Sequence, residues 1–167
     1  MPQGPAARAQ VDTTAHGLPP TLTPGPGSPT VLIGFAPAWR GIPLAAVAAL
    51  QTAKTAADTA IQTAVAGTAA AAGTPGAPAA LAAEQTAKAT ALSSMSSAIT
   101  GASAGADIHM CAVPSPVPPH GPGVDITGSA TVMINMLPAG RQGDTILEAI
   151  GPPNSITKGE PTVIIGG

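Results

Sequence analysis

The sequence predicts a mainly β fold: a closed pseudo-three-fold arrangement of short strands, with an alanine-rich α-helical hairpin inserted into it. Three observations lead there. A unit of the form Gly-x-x-Thr-Val-x-Ile followed by Pro-x-x-Arg recurs, its internal spacing is constant, and one stretch of different composition interrupts its second copy.

The strand-like half of the unit occurs as 27–33 (Gly27, Thr30, Val31, Ile33), 128–134 (Gly128, Thr131, Val132, Ile134) and 159–165 (Gly159, Thr162, Val163, Ile165). The other half occurs at Pro5 to Arg8, Pro37 to Arg40 and Pro138 to Arg141, with Pro37 six residues after Val31 and Pro138 six after Val132. Three units suit a ring that closes on itself better than a solenoid. Val and Ile two apart point to one face of a strand, so Val31/Ile33, Val132/Ile134 and Val163/Ile165 are expected to face the core. The Gly opening each copy, with Ser28, Ser129 or Glu160 after it, reads as the turn that starts the strand.

Pro5 to Val31 and Pro138 to Val163 are 26 and 25 residues apart, but Pro37 to Val132 is 95. The excess falls on residues 44–104, rich in Ala and Thr and poor in β punctuation. Three regions follow: 1–43 and 105–167 as two parts of one β unit, and 44–104 as the insertion. Helices are predicted over about 43–71 and 78–100, broken by Gly73-Thr74-Pro75-Gly76. Their seams are Val47, Leu50, Lys54, Ala57, Ile61 and Ala64 on the first, and Leu81, Gln85, Lys88, Leu92, Met95 and Ile99 on the second. A transmembrane hairpin is the alternative, but the longest apolar run, Gly41 to Leu50, is half of the roughly 20 residues a span needs.

Composition narrows the function. With one Phe, one Trp and no Tyr, the core must be Val, Ile, Leu and Ala, and 20 Gly with 20 Pro would suggest disorder were the units not in register. A net charge of −2 with 8% charged residues offers no basic stripe for nucleic acid and no cationic face for an anionic membrane. The N-terminus shows no secretory signal, and the single Cys111 suits folding in a reducing cytoplasm. Serines lie outside any nucleophile-elbow context, and Gly-Pro-Gly at 25–27 and 121–123 lacks the amide donors of a phosphate cradle, so no enzymatic activity is expected.

All three histidines and the cysteine form one candidate constellation: His16, His109, Cys111 and His120. One thiolate and three imidazoles make a closed tetrahedral zinc site of structural type. The repeat supports the grouping. Asp12 and Asp144 follow Arg8 and Arg141, and Asp107, beyond the insertion, is the displaced counterpart for Arg40. Four residues past each Asp stand His16, Cys111 and Glu148, positions that a three-fold relation brings together. His109 shares a strand face with Cys111, whereas Glu148 is expected to be a solvated or hydrogen-bonded carboxylate outside a shell already complete. Such a metal replaces missing core at the narrow end of a tapering β structure.

Pro5-Ala6-Ala7-Arg8, the stretch from Asp12 to His16-Gly17, the recurrent Gly-Ser-x-Thr-Val-x-Ile, and Asp107-x-His109-x-Cys111 with Pro119-His120-Gly121 together resemble the PAAR-repeat proteins, over residues 5–43 and 105–167. The resemblance implies a cone-shaped β protein capping the trimeric, VgrG-like spike of a type VI secretion system or related contractile injection machine. It also implies one structural Zn²⁺, held by His16, His109, Cys111 and His120. Such a spike tip is assembled in the bacterial cytoplasm, touches the target membrane transiently, and is expelled or delivered on firing. Residues 44–104 lie outside the family's pattern and are expected to hold cargo or effector, to brace the tip against the spike or sheath, or to contact the target envelope; a zinc-binding adaptor whose hairpin recruits cargo without piercing is the competing reading. The chain departs from the motif at Trp39 and Gly140, which replace the second Ala, and at Glu160. Both ends of the chain lie in the repeats, so no toxin domain is expected.

Overall fold

The structure is a computed structural model and describes residues 3–114 and 118–166. Its strands are β1 (Gly4–Ala6), β2 (Pro24–Gly25), β3 (Leu32–Ile33), β4 (Ala36–Pro37), β5 (Ile108–Pro114), β6 (Pro119–Asp125), β7 (Met133–Ile134), β8 (Leu137–Pro138), β9 (Thr145–Glu148), β10 (Asn154–Ser155) and β11 (Glu160–Ile165). Two helices, α1 (Leu44–Ala71) and α2 (Ala77–Ser103), lie between β4 and β5. Helix occupies about 34% and strand about 30% of the residues, so the fold is mixed α/β rather than mainly β, and no barrel closes. The reason is length. The insertion is regular almost throughout, whereas Gly and Pro limit most strands to a few residues.

All pairing is antiparallel. Five strands form one sheet in the order β10-β9-β6-β5-β2, and β1-β11, β3-β4 and β7-β8 form three small pairs. The Pro-x-x-Arg segments bridge one another in a cycle: Arg8 with Ala38, Arg40 with Ala139, and Arg141 with Ala6. Backbone hydrogen bonds run the same circuit, from Ala7 to Gly140 (2.9 Å), Gly140 to Trp39 (2.9 Å) and Trp39 to Ala7 (2.8 Å). At its centre Ala6, Ala38 and Ala139 pack with Ile33, Ile134 and Ile165, one of each from every repeat. The small Ala side chains let three backbones approach closely. Of the expected core pairs only the Ile is buried in each; Val132 and Val163 are 37% exposed.

Each Arg turns onto an Asp that also caps its backbone. The amides of Arg8, Arg40 and Arg141 donate to Asp12, Asp107 and Asp144 at 2.8, 2.7 and 2.7 Å, and each guanidinium returns to the same carboxylate. These pairs are buried, and bidentate geometry is what keeps an ion pair favourable there. The Arg40–Asp107 pair clasps the two ends of the insertion. Glu160, where the other repeats have Ser, accepts from Arg8 Nη1 at 2.6 Å and from Thr162 Oγ1 at 2.7 Å. It therefore performs the turn function of Ser28 and Ser129, which accept from Val31 and Val132 amides at 2.9 Å, and adds a charge partner.

Trp39 and Gly140 explain each other. A Cβ on Gly140 would stand 2.8 Å from Trp39 Cδ1 and 3.0 Å from Asp125 Oδ2. The wholly buried indole thus occupies the room that a second Ala in the third repeat would take.

The helical hairpin is a layer of the fold. Leu50 of α1 and Met95 and Ile99 of α2 pack with Val124, Leu147 and Ala149 on one face of the five-stranded sheet. Residues alternate along β strands, so His109, Cys111 and Glu148 belong to the other face. The predicted seam of α1 is buried or half-buried throughout. On α2 the seam is right from Lys88 onward, but Leu81 and Gln85 are exposed while Glu84 and Ala87 turn inward. Both helices end within a few residues of their expected limits, α2 carrying Pro in its first turn and α1 stopping before Gly73. Among the described residues no helix is long and apolar enough to cross a membrane.

Candidate metal centre

His16, Cys111, His120 and Glu148 place one ligand atom each within 4.8 Å of all the others. Three of the four come from the equivalent repeat positions, four residues past Asp12, Asp107 and Asp144. The Arg–Asp turns fix those segments, and the cyclic bridges bring them together.

His16 follows the bridge between Thr14 and Ile156. Its amide donates to Asn154 Oδ1 at 3.2 Å and its carbonyl accepts from Asn154 Nδ2. The same amide group donates to Glu148 Oε1 at 2.9 Å, so Asn154 ties two members of the cluster. Cys111 pairs with Gly121 across β5 and β6, and a register shift lies between Cys111 and Pro114. Gly121 has φ +82°, open to glycine but strained for other residues, and this turn brings His120 to the face that Cys111 occupies. Gly151, at φ +83°, lies against the His120 ring: a Cβ there would stand 2.7 Å from Nε2. Gly151 also accepts from Lys54 Nζ of α1 at 3.0 Å, and Leu92 of α2 fills the space beside Gly121. The hairpin therefore braces the seat of the His120 ring.

His16 Nε2 and His120 Nδ1 stand 3.2 Å apart, with rings edge to face at 84°. Cys111 Sγ is 3.7 Å from His120 Nδ1. A tetrahedral ion with N at about 2.05 Å and S at about 2.3 Å requires N···N near 3.3 Å and N···S near 3.6 Å, so these edges fit. Glu148 Oε2 lies 3.0 Å from His16 Nε2 and 2.7 Å from His120 Nδ1, hydrogen-bond lengths that open by about half an ångström in a coordination shell. The Glu148 side chain is wholly buried, and that of His16 is 29% exposed, leaving one side of the centre open to solvent. Burial pushes the Cys111 thiol above its ordinary value, a shift that a coordinated cation reverses by stabilising the thiolate.

Of the predicted ligands, His16, Cys111 and His120 meet, and His109 does not join them. His109 is wholly buried; neither ring nitrogen makes a well-aligned hydrogen bond, and the hydrogen-bonding groups acting on the ring are the backbone of Thr23 and Thr21 rather than the cluster donors. Burial lowers its pKa, with the nearby Glu148 charge opposing. Glu148 holds the fourth place. It is hydrogen-bonded, as expected, but it is part of the cluster rather than outside it. The repeat register had pointed to Glu148; preference for N and S donors pointed to His109. Asn154 carried no signal in the sequence, since its role arises from a bridge between distant segments.

None of the protein-family models, curated proteins or solved structures compared with this chain matches it.

Proposed function

We propose that the protein is a zinc-stabilised tip for the trimeric, VgrG-like spike of a contractile injection machine, of the kind that the resemblance to PAAR-repeat proteins implies. The observation that carries the reading is a cyclically bridged set of repeats, each running from an exposed apolar residue to a metal-ligating position. Leu32, Met133 and Ile164 are the outward residues of the three Thr-Val-x-Ile segments, exposed by 65, 51 and 58%. Two hairpin tips add Phe35 and Met136, exposed by 101 and 91%, both in the left-handed region at φ +66° and +67°. Bulky side chains held there at a conformational cost, without a contact in the free chain, favour a partner that covers them. A surface repeating itself about a cycle of three fits the end of a three-fold partner.

At the other terminus of each repeat, His16, Cys111 and Glu148 approach, and with His120 they supply the donor types that zinc takes. In this role zinc holds together segments with little apolar area to bury. The tapering cone, its docking base and its metal-bound point then act mechanically, transmitting the force of contraction to a target envelope, with no reaction catalysed. Assembly in the bacterial cytoplasm and expulsion on firing follow.

The competing reading, a zinc-binding adaptor whose hairpin recruits cargo, gains support from the exposure of much of residues 59–83. Co-purification with the trimeric spike of the same cell separates the two. The tip reading expects one chain per spike trimer. Absence of binding to any such spike rejects it and leaves the adaptor.

A further inference from the structure

The His120 ring is held from two sides by the inserted hairpin. Its Nδ1 is the atom around which the cluster gathers, with Glu148 Oε2 at 2.7 Å, His16 Nε2 at 3.2 Å and Cys111 Sγ at 3.7 Å. Its opposite edge rests on Gly151, where an added Cβ would stand 2.7 Å from Nε2 and 2.8 Å from Cδ2. The Gly151 carbonyl accepts from Lys54 Nζ at 3.0 Å, and Nζ also donates to Asp58 Oδ1 and Oδ2 at 2.5 and 2.6 Å, so all three donors of the ammonium are engaged. On the other side, α2 packs Leu92 into the space that glycine leaves at 121: a Cβ there would stand 2.5 Å from Leu92 Cδ1. A backbone bond joins the two sides, since the Ile150 amide donates to the His120 carbonyl at 3.1 Å. One helix thus meets the residue after His120, and the other meets the residue against its ring.

A coordination shell tolerates errors of about 0.2 Å in its metal–ligand distances. A close-packed interior passes a displacement on rather than absorbing it, so a shift of Gly151 reaches the ring and, with it, three edges of the cluster. We propose that the docked hairpin sets the metal affinity of the cluster, with Lys54 as the positioning residue, and that bound metal in turn strengthens docking of the hairpin. The proposal rests on the reading of this cluster as a metal site. Its two halves are one coupling: if a seated hairpin raises the affinity for metal, bound metal favours the seated hairpin by the same factor. The insertion then has a role inside the fold, independent of any cargo it carries.

The test uses the full chain, with zinc titrated against a chelator for affinity and cobalt(II) loaded for the spectrum of the centre. Lys54→Met keeps the apolar stem and removes the ammonium; Asp58, its side chain 39% exposed, is then met by water. This variant is expected to hold one equivalent of metal about 5- to 30-fold more weakly, with a shifted cobalt spectrum. Lys88→Met is the matched control, because the Lys88–Glu84 pair has the same i,i+4 spacing and joins two residues of α2. Its affinity and spectrum should be those of the wild type. An affinity for Lys54→Met within about twofold of wild type overturns the proposal and leaves the metal site standing. So does a weaker affinity with an unchanged spectrum, which a general loss of stability produces, and so does an equal effect of Lys88→Met. A wild-type chain that takes up no metal fails differently, removing the metal site itself and the coupling with it. Emission from Trp39, the only Trp and wholly buried, reports whether each variant is folded. Where Lys54→Met is not, Lys54→Gln stands in with the same expectation.

Discussion

Replacing Phe35 and Met136 by Gly should make the free protein more stable and its docking weaker. Both residues take the second position of a two-residue hairpin turn, with φ +66° and +67°, after Gly34 at +52° and Asn135 at +51°. This is the primed turn in which Gly is preferred second. A bulky residue in the left-handed region costs about 1–2 kcal/mol. Glycine recovers that but loses about 0.5–1 kcal/mol of chain entropy, for a net gain of about 0.5–1 kcal/mol at each site. With exposures of 101 and 91%, neither side chain has packing to lose. The hairpins belong to separate sheets, so the gains add to about 1–2 kcal/mol. For a chain of 167 residues that is a rise in Tm of about 2–8 °C, measured by the emission of Trp39 or by circular dichroism. If these side chains are the docking anchors, each loses about 1.5–3 kcal/mol of burial on the spike, so affinity falls about 10- to 150-fold per substitution. A Tm that falls refutes the strain argument. Unchanged spike affinity in the double variant refutes the docking face.

The other expectations concern the interior. Burial raises the wholly buried Asp125 from 3.8 to about 8, with the Asp144 charge adding to it. Its folded pKa lies above the unfolded one, so its contribution is complete below about pH 4 and is lost as pH rises toward about 8, with a limiting slope of about 1.4 kcal/mol per pH unit. Asp125→Asn should flatten stability over that range in denaturant titrations at several pH values; a parallel profile contradicts the assignment. Gly140→Ala puts a methyl 2.8 Å from Trp39 Cδ1 and should cost about 1–3 kcal/mol. In the background of Trp39→Ala the same change should be tolerated, and additive effects in that double-mutant cycle would show that the two positions do not share space. Replacing 44–104 by a short linker should give an aggregating chain, because Val124, Leu147 and Ala149 lose their cover. A soluble, monomeric product by light scattering would mean that the sheet does not need the hairpin.

Local chemistry was legible from the sequence wherever one segment decides its own structure. Alanine propensity and the Gly73 to Gly76 break located the helices to within a few residues, and the Arg–Asp spacing singled out Asp12 and Asp144, which prove to pair with Arg8 and Arg141. Even Asp107, displaced by the insertion, was found by its place in the repeat. What could not be read was cross-segment geometry. Val132 and Val163 obey the alternation that should bury them, but strands this short turn them partly to solvent. Nothing in the order of residues says that Trp39 fills the space beside Gly140. His109 satisfies the strand-face rule with Cys111, yet the register shift after Cys111 and the turn at Gly121 bring His120 in and leave His109 a row away.

The position of the insertion follows from the same geometry. It enters after Arg40 and leaves before Asp107, and these two form the buried clamp whose counterparts in the other repeats close over three or four residues. A hairpin that starts and ends at one point strains that clamp little, because its helices return the chain to where it left. From there the sheet face bearing Val124 and Leu147 is within reach, and α1 and α2 cover it. The face with the candidate metal cluster lies on the other side of the same strands, and Lys54, through the carbonyl of Gly151, contacts the glycine that seats His120. Hairpin, sheet and metal cluster thus share a layer of strands one residue thick. On the proposed reading, a load on cargo held at 44–104 would reach the cluster through that layer.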